Sequence, residues 1–358
     1  MSEMDNASSQ PQRRPVITAV DKDDLVIPVI EFGPFLTGTP SDRNAVAASV
    51  TNAFKTSGFL YLRDHGIPFS TVSQVFESSA RFFARPQVQK DSLGWTSPQS
   101  NRGYIKTGQE KLNLPTDTTD KDTAKRVTPD LKETMEIGRD DVDGLPNRWP
   151  DNLDDEGKEF KKVMQSFFEK CKALHTEVMR AIAIGMNLPE HYFDNYVDAG
   201  DNNLRLLHYP SVPKDTFKQN PGQVRAGEHS DYGSITLLFQ DQRGGLQVRS
   251  PKGTFVDATP IADTVVVNAG DLLARWSNDI IKSTRHRVVE PPKTVEAGSD
   301  DGSDSYPARY SIAYFCNPNM NKFIEALPGT FEEELNESKK YPGITTGDYL
   351  VQRLTATI

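Results

Sequence analysis

Apolar positions keep a helical period in the first half of the chain and a strand-like rhythm in the second. Leu25 to Ile30 is a short apolar run of strand type. After it, Val46, Val50, Ala53 and Phe54 recur on one side of a helix that Ser41 can cap and Gly58 can end. Phe59 to Leu62 reads as a strand again. A second helix follows Pro68, with Val72, Val75, Phe76 and Phe83 at helical spacing, and Pro86 stops it. The longest helical signal runs from Glu159 to Met186. There Phe160, Val163, Met164, Phe167, Phe168, Cys171, Leu174, Val178 and Ile182 form one stripe, the pattern of a helix packed against a sheet.

Beyond Gly200 short β-branched and aromatic runs take over, separated by Gly, Asn, Asp and Pro: LRLLHYP, SITLLFQ, GLQVRSP, TFVDATP, TVVVNAG, STRHRVV, RYSIAYF and KFIEAL. Strands at spacings of about 8–12 residues argue for a sandwich, a jelly roll or a barrel. Residues 1–24 are polar and expected to form a disordered tail. Residues 111–130 lack apolar periodicity and read as a long loop, a candidate lid. Residues 294–305 are a polar insertion between two strands. The expected organisation is mainly β with packed helices: an N-terminal α/β portion over 25–140, then the long helix and a catalytic β-core over 141–358.

The 358 residues carry 41 Lys and Arg against 50 Asp and Glu, a formal net charge of −9. That balance argues against nucleic acid as a partner, because phosphate neutralisation needs a basic face. An anionic small ligand needs only one or two placed arginines. Two cysteines, Cys171 and Cys316, exclude a disulfide framework and fit a reducing compartment. The N-terminus has no apolar core of a signal peptide, and no apolar run approaches the ~20 residues of a spanning helix. A cytoplasmic protein away from membranes is expected; the oligomeric state is not legible.

Of the six histidines, two sit in informative places. Glu228-His229-Ser230-Asp231 puts an imidazole and a carboxylate two apart in a strand-like run, so both point the same way while Ser230 points opposite. His286 lies on a later run that an antiparallel pairing can bring to the same point. Two histidines and one carboxylate on one face of a metal leave positions open, the facial triad of non-haem Fe(II) oxygenases. The alternative is a pair of histidines held by ordinary hydrogen bonds. Further on, Arg309 and Ser311 share a strand face within an apolar run. A guanidinium grips a carboxylate bidentately and a hydroxyl adds one bond, which suits the far carboxylate of 2-oxoglutarate.

The strings GEHSDYGSITLLFQD, GGLQV, VVNAGDLLARWSND, KSTRHRVVEPP and RYSIAYFCNP, in that order, resemble the isopenicillin N synthase-like family of Fe(II)/2-oxoglutarate-dependent dioxygenases. IPVIEF and TSGFLYLRDHGIP resemble the family's N-terminal region, so the likeness spans about residues 25–355. It implies a double-stranded β-helix (jelly roll) core. It also implies Fe(II) bound by His229, Asp231 and His286, with 2-oxoglutarate held by Arg309, Ser311 and Tyr209. NRGY, LRLLHYP and YLVQRL resemble the thymine-hydroxylating members. For them the likeness implies a substrate pocket of Asn202, Arg205, Tyr232 and Phe315, O₂ as second substrate and ascorbate as reductant. The implied reaction is hydroxylation of the 5-methyl group of thymine to 5-hydroxymethyluracil, then to 5-formyluracil and 5-carboxyuracil, with release of succinate and CO₂. The alternative is the same chemistry on a secondary metabolite or amino acid. Leu207-His208-Tyr209-Pro210 departs from the Asn-Tyr-Tyr-Pro of many plant relatives, so that loop's rules are not carried over.

Overall fold

The computed structural model describes residues 17–97, 100–109, 130–140, 142–220, 223–290, 304–331 and 339–355. The chain opens with β1 (Ile17–Lys22), β2 (Leu25–Glu31), α1 (Gly33–Thr37), α2 (Pro40–Thr56) and β3 (Phe59–Arg63). α3 (Phe69–Phe83), α4 (Gln87–Ser92), β4 (Gly103–Ile105) and β5 (Glu133–Gly138) follow, then the long α5 (Asp155–Gly185) and α6 (Asp194–Val197). The β-rich half contains β6 (Asn203–Tyr209), β7 (Val212–Pro213), α7 (Asp215–Gln219), β8 (Ala226–His229), β9 (Ile235–Gln240), β10 (Leu246–Arg249) and β11 (Phe255–Asp257). It continues through β12 (Val265–Ala269), α8 (Asp271–Trp276), β13 (His286–Val288), β14 (Ser305–Tyr306), β15 (Arg309–Cys316), β16 (Phe323–Ile324), β17 (Ile344–Thr345) and α9 (Thr346–Thr355).

Two sheets make the core. The major sheet has nine strands in the order β1-β2-β3-β12-β9-β15-β6-β5-β4, and the minor one four, β11-β10-β13-β8. All pairings in these two sheets are antiparallel except β2 with β3. Alternation sorts the major sheet's side chains into two sets. Leu204, Leu206, Ile235, Leu237, Phe239, Ile312 and Tyr314 join the apolar cluster that includes α2, α3 and α5 residues. Leu207, Tyr209, Val266, Ala313 and Phe315 belong instead with Val248 and Val288 of the minor sheet. The space between the two sheets is the interior of the jelly roll.

Each of the strand-like runs past Gly200 forms a strand, and the stripe from Phe160 to Ile182 is the buried face of α5. Three expectations change. α2 is capped by Thr39 rather than Ser41: the Thr39 hydroxyl and the Asp42 carboxylate bond each other's backbone amides, with Pro40 in the first turn. The 1–24 tail is too long at its C-terminal end, because Ile17–Lys22 pairs with β2. The boundary at 140 does not divide the sheet either, since β1 to β5 lie in the same sheet as β6, β9, β12 and β15. α5 can lie against α2 because Gly185 has no side chain; a Cβ there would sit 2.0 Å from Thr51 Oγ1. The 111–130 loop, except Asp130, lies outside the described residues, as does the 294–305 insertion up to 303. No helix among the described residues is long and apolar enough to cross a membrane.

Candidate metal and co-substrate site

β13 pairs with β8 so that His286 stands directly across from His229. Their rings lie 4.4 Å apart between centroids. Asp231 is not in the strand itself, which ends at His229. The turn after β8 carries it, and tertiary bonds hold that turn. Asp271 N donates to Asp231 O at 2.8 Å, and Gly270 N donates to Ser234 O at 2.9 Å. This turn needs glycine at 270, where a Cβ would lie 2.4 Å from Gly233 O and 3.1 Å from Asp231 O. Ser230 Oγ donates to Asp271 Oδ2 at 2.9 Å, a further bond between this turn and α8.

The three ligand-type side chains converge. His229 Nε2 and His286 Nε2 each lie 3.8 Å from Asp231 Oδ1. Among the described residues, these three form the one His/Cys/Asp/Glu group close enough to share an ion. Their outer atoms are all engaged. His229 Nδ1 faces Gly227 O at 2.8 Å and His286 Nδ1 faces Thr284 O at 3.2 Å. A carbonyl only accepts, so each Nδ1 carries the proton and each Nε2 lone pair faces inward. Asp231 Oδ2 accepts from Thr236 Oγ1 at 2.6 Å and from Asn268 Nδ2 at 2.7 Å, which leaves Oδ1 for a metal. Burial, then the neighbouring His286, pushes the His229 pKa down to about 3. Burial opposes the Asp231 charge, yet His286, His229, Asn268 and Thr236 bring its carboxyl below the usual range. Two neutral imidazoles and one carboxylate fit a divalent iron with open positions.

Beside the triad, Arg309 and Ser311 point into the jelly roll from β15. Arg309 is 1% exposed and stands opposite Tyr209 in the β15–β6 register, its guanidinium 4.9 Å over the Tyr209 ring. Its partners are Gly244 O at 2.8 Å, Ser311 Oγ at 3.1 Å and Gln240 Oε1 at 3.4 Å. All are neutral, so among the described residues the guanidinium charge is buried without a carboxylate, the setting for a bound anion. His208, next to Tyr209, faces the other way. It bonds Glu133 Oε1 at 2.7 Å and stacks on Tyr310, 4.6 Å between centroids. Burial works against the Glu133 charge, but His208, Tyr104 and Lys90 together hold its carboxyl below the ordinary range.

Of the residues expected in the substrate pocket, Arg205 and Phe315 are in direct contact. Arg205 lies 5.3 Å over the Phe315 ring. Its Nε is 2.6 Å from Glu136 Oε1, and Glu136 is fully buried opposite it on β5. Tyr232 directly follows Asp231, with the Arg353 guanidinium of α9 4.5 Å over its ring. Asn202 Nδ2 donates to Tyr314 Oη at 2.9 Å and its Oδ1 accepts from Asn317 N at 2.8 Å, which fixes the amide between the start of β6 and the end of β15. A cleft of about 710 Å³, lined by Arg275, Lys282, Arg285 and Arg353 among others, contains none of the expected site residues.

Several contributors have no local sequence signal. Thr236 and Asn268 reach Asp231 only across β9 and β12. Asp130 ends the long loop and accepts from Gly227 N at 3.1 Å, while Lys132 pairs with it at 2.6 Å. Glu136 sits in ETMEIG, a strand that a residue-by-residue period leaves unmarked because it is buried on both faces.

Comparison with known proteins agrees with this geometry. Residues 27–152 match the model for the non-haem dioxygenase in morphine synthesis N-terminal region, and residues 200–318 match the 2OG-Fe(II) oxygenase superfamily. The 2-oxoglutarate-Fe(II) type oxidoreductase ppzD of Metarhizium rileyi is 35% identical, over 92% of this chain and 90% of that protein. The proline hydroxylase buaE of Petromyces alliaceus is 33% identical, over 92% of this chain and 98% of its own. Among solved structures, the full-length thymine-7-hydroxylase of Neurospora crassa in complex with alpha-KG and thymine is 56% identical, with a TM-score of 0.86 over 95% of this chain and 100% of that one. Its complex with alpha-KG and 5-formyluracil gives 54% and 0.83, over 95% of this chain and 99% of that one. The chain belongs to the 2OG-Fe(II) oxygenase superfamily and is an Fe(II)/2-oxoglutarate-dependent dioxygenase.

Proposed function

We propose that this dioxygenase hydroxylates the 5-methyl group of thymine and carries the product on to 5-formyluracil and 5-carboxyuracil, with ascorbate keeping the iron reduced. His229, Asp231 and His286 hold the iron. Arg309, Ser311 and Tyr209 hold the far carboxylate of 2-oxoglutarate. When bound, the iron couples oxidative decarboxylation of 2-oxoglutarate to oxidation of a substrate C–H bond. The chain contributes placement and exclusion of water. Thr236 and Asn268 aim one oxygen of Asp231, and the backbone carbonyls behind the two imidazoles fix their tautomers. Phe315 offers a flat face to a pyrimidine ring. Arg205 donates to its carbonyl edge, with Glu136 holding the guanidinium in place and balancing its charge. Tyr232 stacks on the ring with Phe315, and Asn202 joins Arg205 at its carbonyl and amide edge.

The observation that carries this reading is the Arg205–Phe315 pair. Phe315 stands across from Thr236, which bonds Asp231, and a cation clamped over its ring suits a flat, carbonyl-bearing substrate better than an aliphatic one. The likeness to a thymine-7-hydroxylase in complex with thymine and with 5-formyluracil supports the same reading. The test is a turnover panel with Fe(II), 2-oxoglutarate and ascorbate under air. It offers thymine, 5-hydroxymethyluracil, 5-formyluracil, uracil and free proline, and follows succinate with product masses. Thymine gaining one oxygen with matched succinate is the expected result. Background succinate with every pyrimidine, and coupled turnover of proline, overturns the substrate in favour of the tailoring alternative.

A further inference from the structure

Arg225 is a second buried guanidinium that the triad and the Arg309 site do not use. It is 1% exposed. One terminal nitrogen donates to Pro307 O at 2.9 Å, whereas among the described residues Nε and Nη1 have no hydrogen-bond partner. No carboxylate among the described residues reaches it at ion-pair distance; Asp241 and Glu290 act on it only through space. Burial and then the charge of Arg309 push its pKa down to about 10, so it stays a cation at neutral pH. A buried cation with unmet donors, set against a second cation, is unfavourable unless an anion joins them.

Its position on the chain says where that anion lies. Arg225 N donates to Val288 O at 2.9 Å, so the β8–β13 ladder continues through it. An irregularity of that ladder lies between Ala226 and His229, so the placement of Arg225 rests on its contacts rather than on simple alternation. Arg225 immediately precedes β8, whose other end is the metal ligand His229. It holds the carbonyl of Pro307, two residues before Arg309, and Arg309 and Tyr209 are both coupled to it electrostatically. A linear dianion with one end on the metal and the other at Arg309 has Arg225 beside its far end.

We propose that Arg225 is a second arginine of the 2-oxoglutarate site, which joins Arg309 in binding the far carboxylate and makes the site demand a ligand with that carboxylate. The inference rests on the assignment of Arg309 above. Its test is calorimetric titration of the full-length protein loaded with Mn(II) in place of Fe(II), so that binding is read without turnover. The ligands are 2-oxoglutarate and 2-oxobutyrate, a 2-oxo acid without the second carboxylate. Arg225→Gln weakens 2-oxoglutarate about tenfold or more and leaves 2-oxobutyrate unchanged, and Arg225→Lys restores most of the loss.

Thermal melting gives an independent reading that a packing role would not produce. Removing an uncompensated buried charge raises the Tm of the ligand-free Arg225→Met protein, while the rise in Tm that 2-oxoglutarate brings becomes smaller. Equal weakening of both ligands, or a lower ligand-free Tm with an unchanged 2-oxoglutarate increment, overturns the proposal. Arg309→Gln separates the two levels. If it loses the preference for 2-oxoglutarate and Arg225→Gln does not, the Arg225 inference alone falls. If Arg309→Gln keeps the full preference, the carboxylate is held elsewhere and both assignments fall.

Discussion

β15 faces two environments from one strand. On one face Arg309, Ser311 and Phe315 point into the jelly roll beside the triad. On the other Ile312 and Tyr314 are wholly buried in the apolar cluster that α5 helps to build. Both faces are dry, but they differ in what their polar groups meet. On the helix-covered face the polar groups find protein partners, as Asn202 and Tyr314 do with each other and His208 does with Glu133. On the inner face Arg309 and Arg225 are cations without carboxylate partners among the described residues, and Asp231 Oδ1 faces two imidazoles rather than a donor proton. Unfinished electrostatics mark the face that receives ligands. The buried atoms without partners on the helix side, such as His175 Nδ1, Thr51 Oγ1 and Ser79 Oγ, are neutral, so substitutions there register as stability rather than chemistry.

The largest expected effect breaks the inner face at its metal. Asp231→Ala, His229→Ala and His286→Ala each reduce 2-oxoglutarate-dependent succinate formation to background and abolish stoichiometric iron binding, as metal analysis of the purified variants checks. Substantial retained turnover in any of them removes that residue from the ligand set. Next comes Ile312→Ala on the opposite face, one position from Ser311. It should lower stability by about 2–5 kcal/mol in a denaturant titration, with an unchanged KM for 2-oxoglutarate. A changed KM there would mean that the two faces are not energetically separate.

Thr236→Val tests the support behind Asp231. It leaves the ligand atoms in place and removes one bond to Oδ2, so iron affinity should fall about 10–100-fold while the fold persists. The smallest effect concerns pH. His175 of α5 is fully buried, and burial pushes its pKa down to about 3. The unfolded chain therefore takes up a proton on this group near its ordinary value of 6.5, well above the native one. Its contribution to stability is complete above that value and shrinks as pH falls from there towards about 3. Tm measured between neutral and acidic pH should drop less steeply in His175→Gln than in the parent protein; equal slopes would assign the acid sensitivity elsewhere.

Much of this molecule was legible along the chain because its decisive features are local. Alternation within β15 puts Arg309 and Ser311 on one face whatever the rest of the chain does, whereas Tyr209 came from the family resemblance and meets them through the β15–β6 register. The β-branched runs past Gly200 mark strands by composition alone. Where local rules failed, longer-range geometry was in charge. Alternation also puts His229 and Asp231 on one side, yet Asp231 has left the strand, and its direction comes from Thr236, Asn268 and Asp271 on other elements.

Short segments of the chain narrowed the β-half to a sandwich, jelly roll or barrel and marked His229, Asp231, His286 and the Arg309-x-Ser311 pair as candidates; the motif order shared with the family then pointed to the jelly roll. A period of two and the chemistry of each side chain are properties of a few neighbouring residues. Three features had to wait for the assembled sheets: Glu136 clamping Arg205, Asn202 bonded to Tyr314 and Asn317, and Arg225 buried without a carboxylate partner among the described residues. Each depends on which strands pair and in what register. Pairing is settled by burying apolar faces over the whole domain, so no window of the sequence contains it.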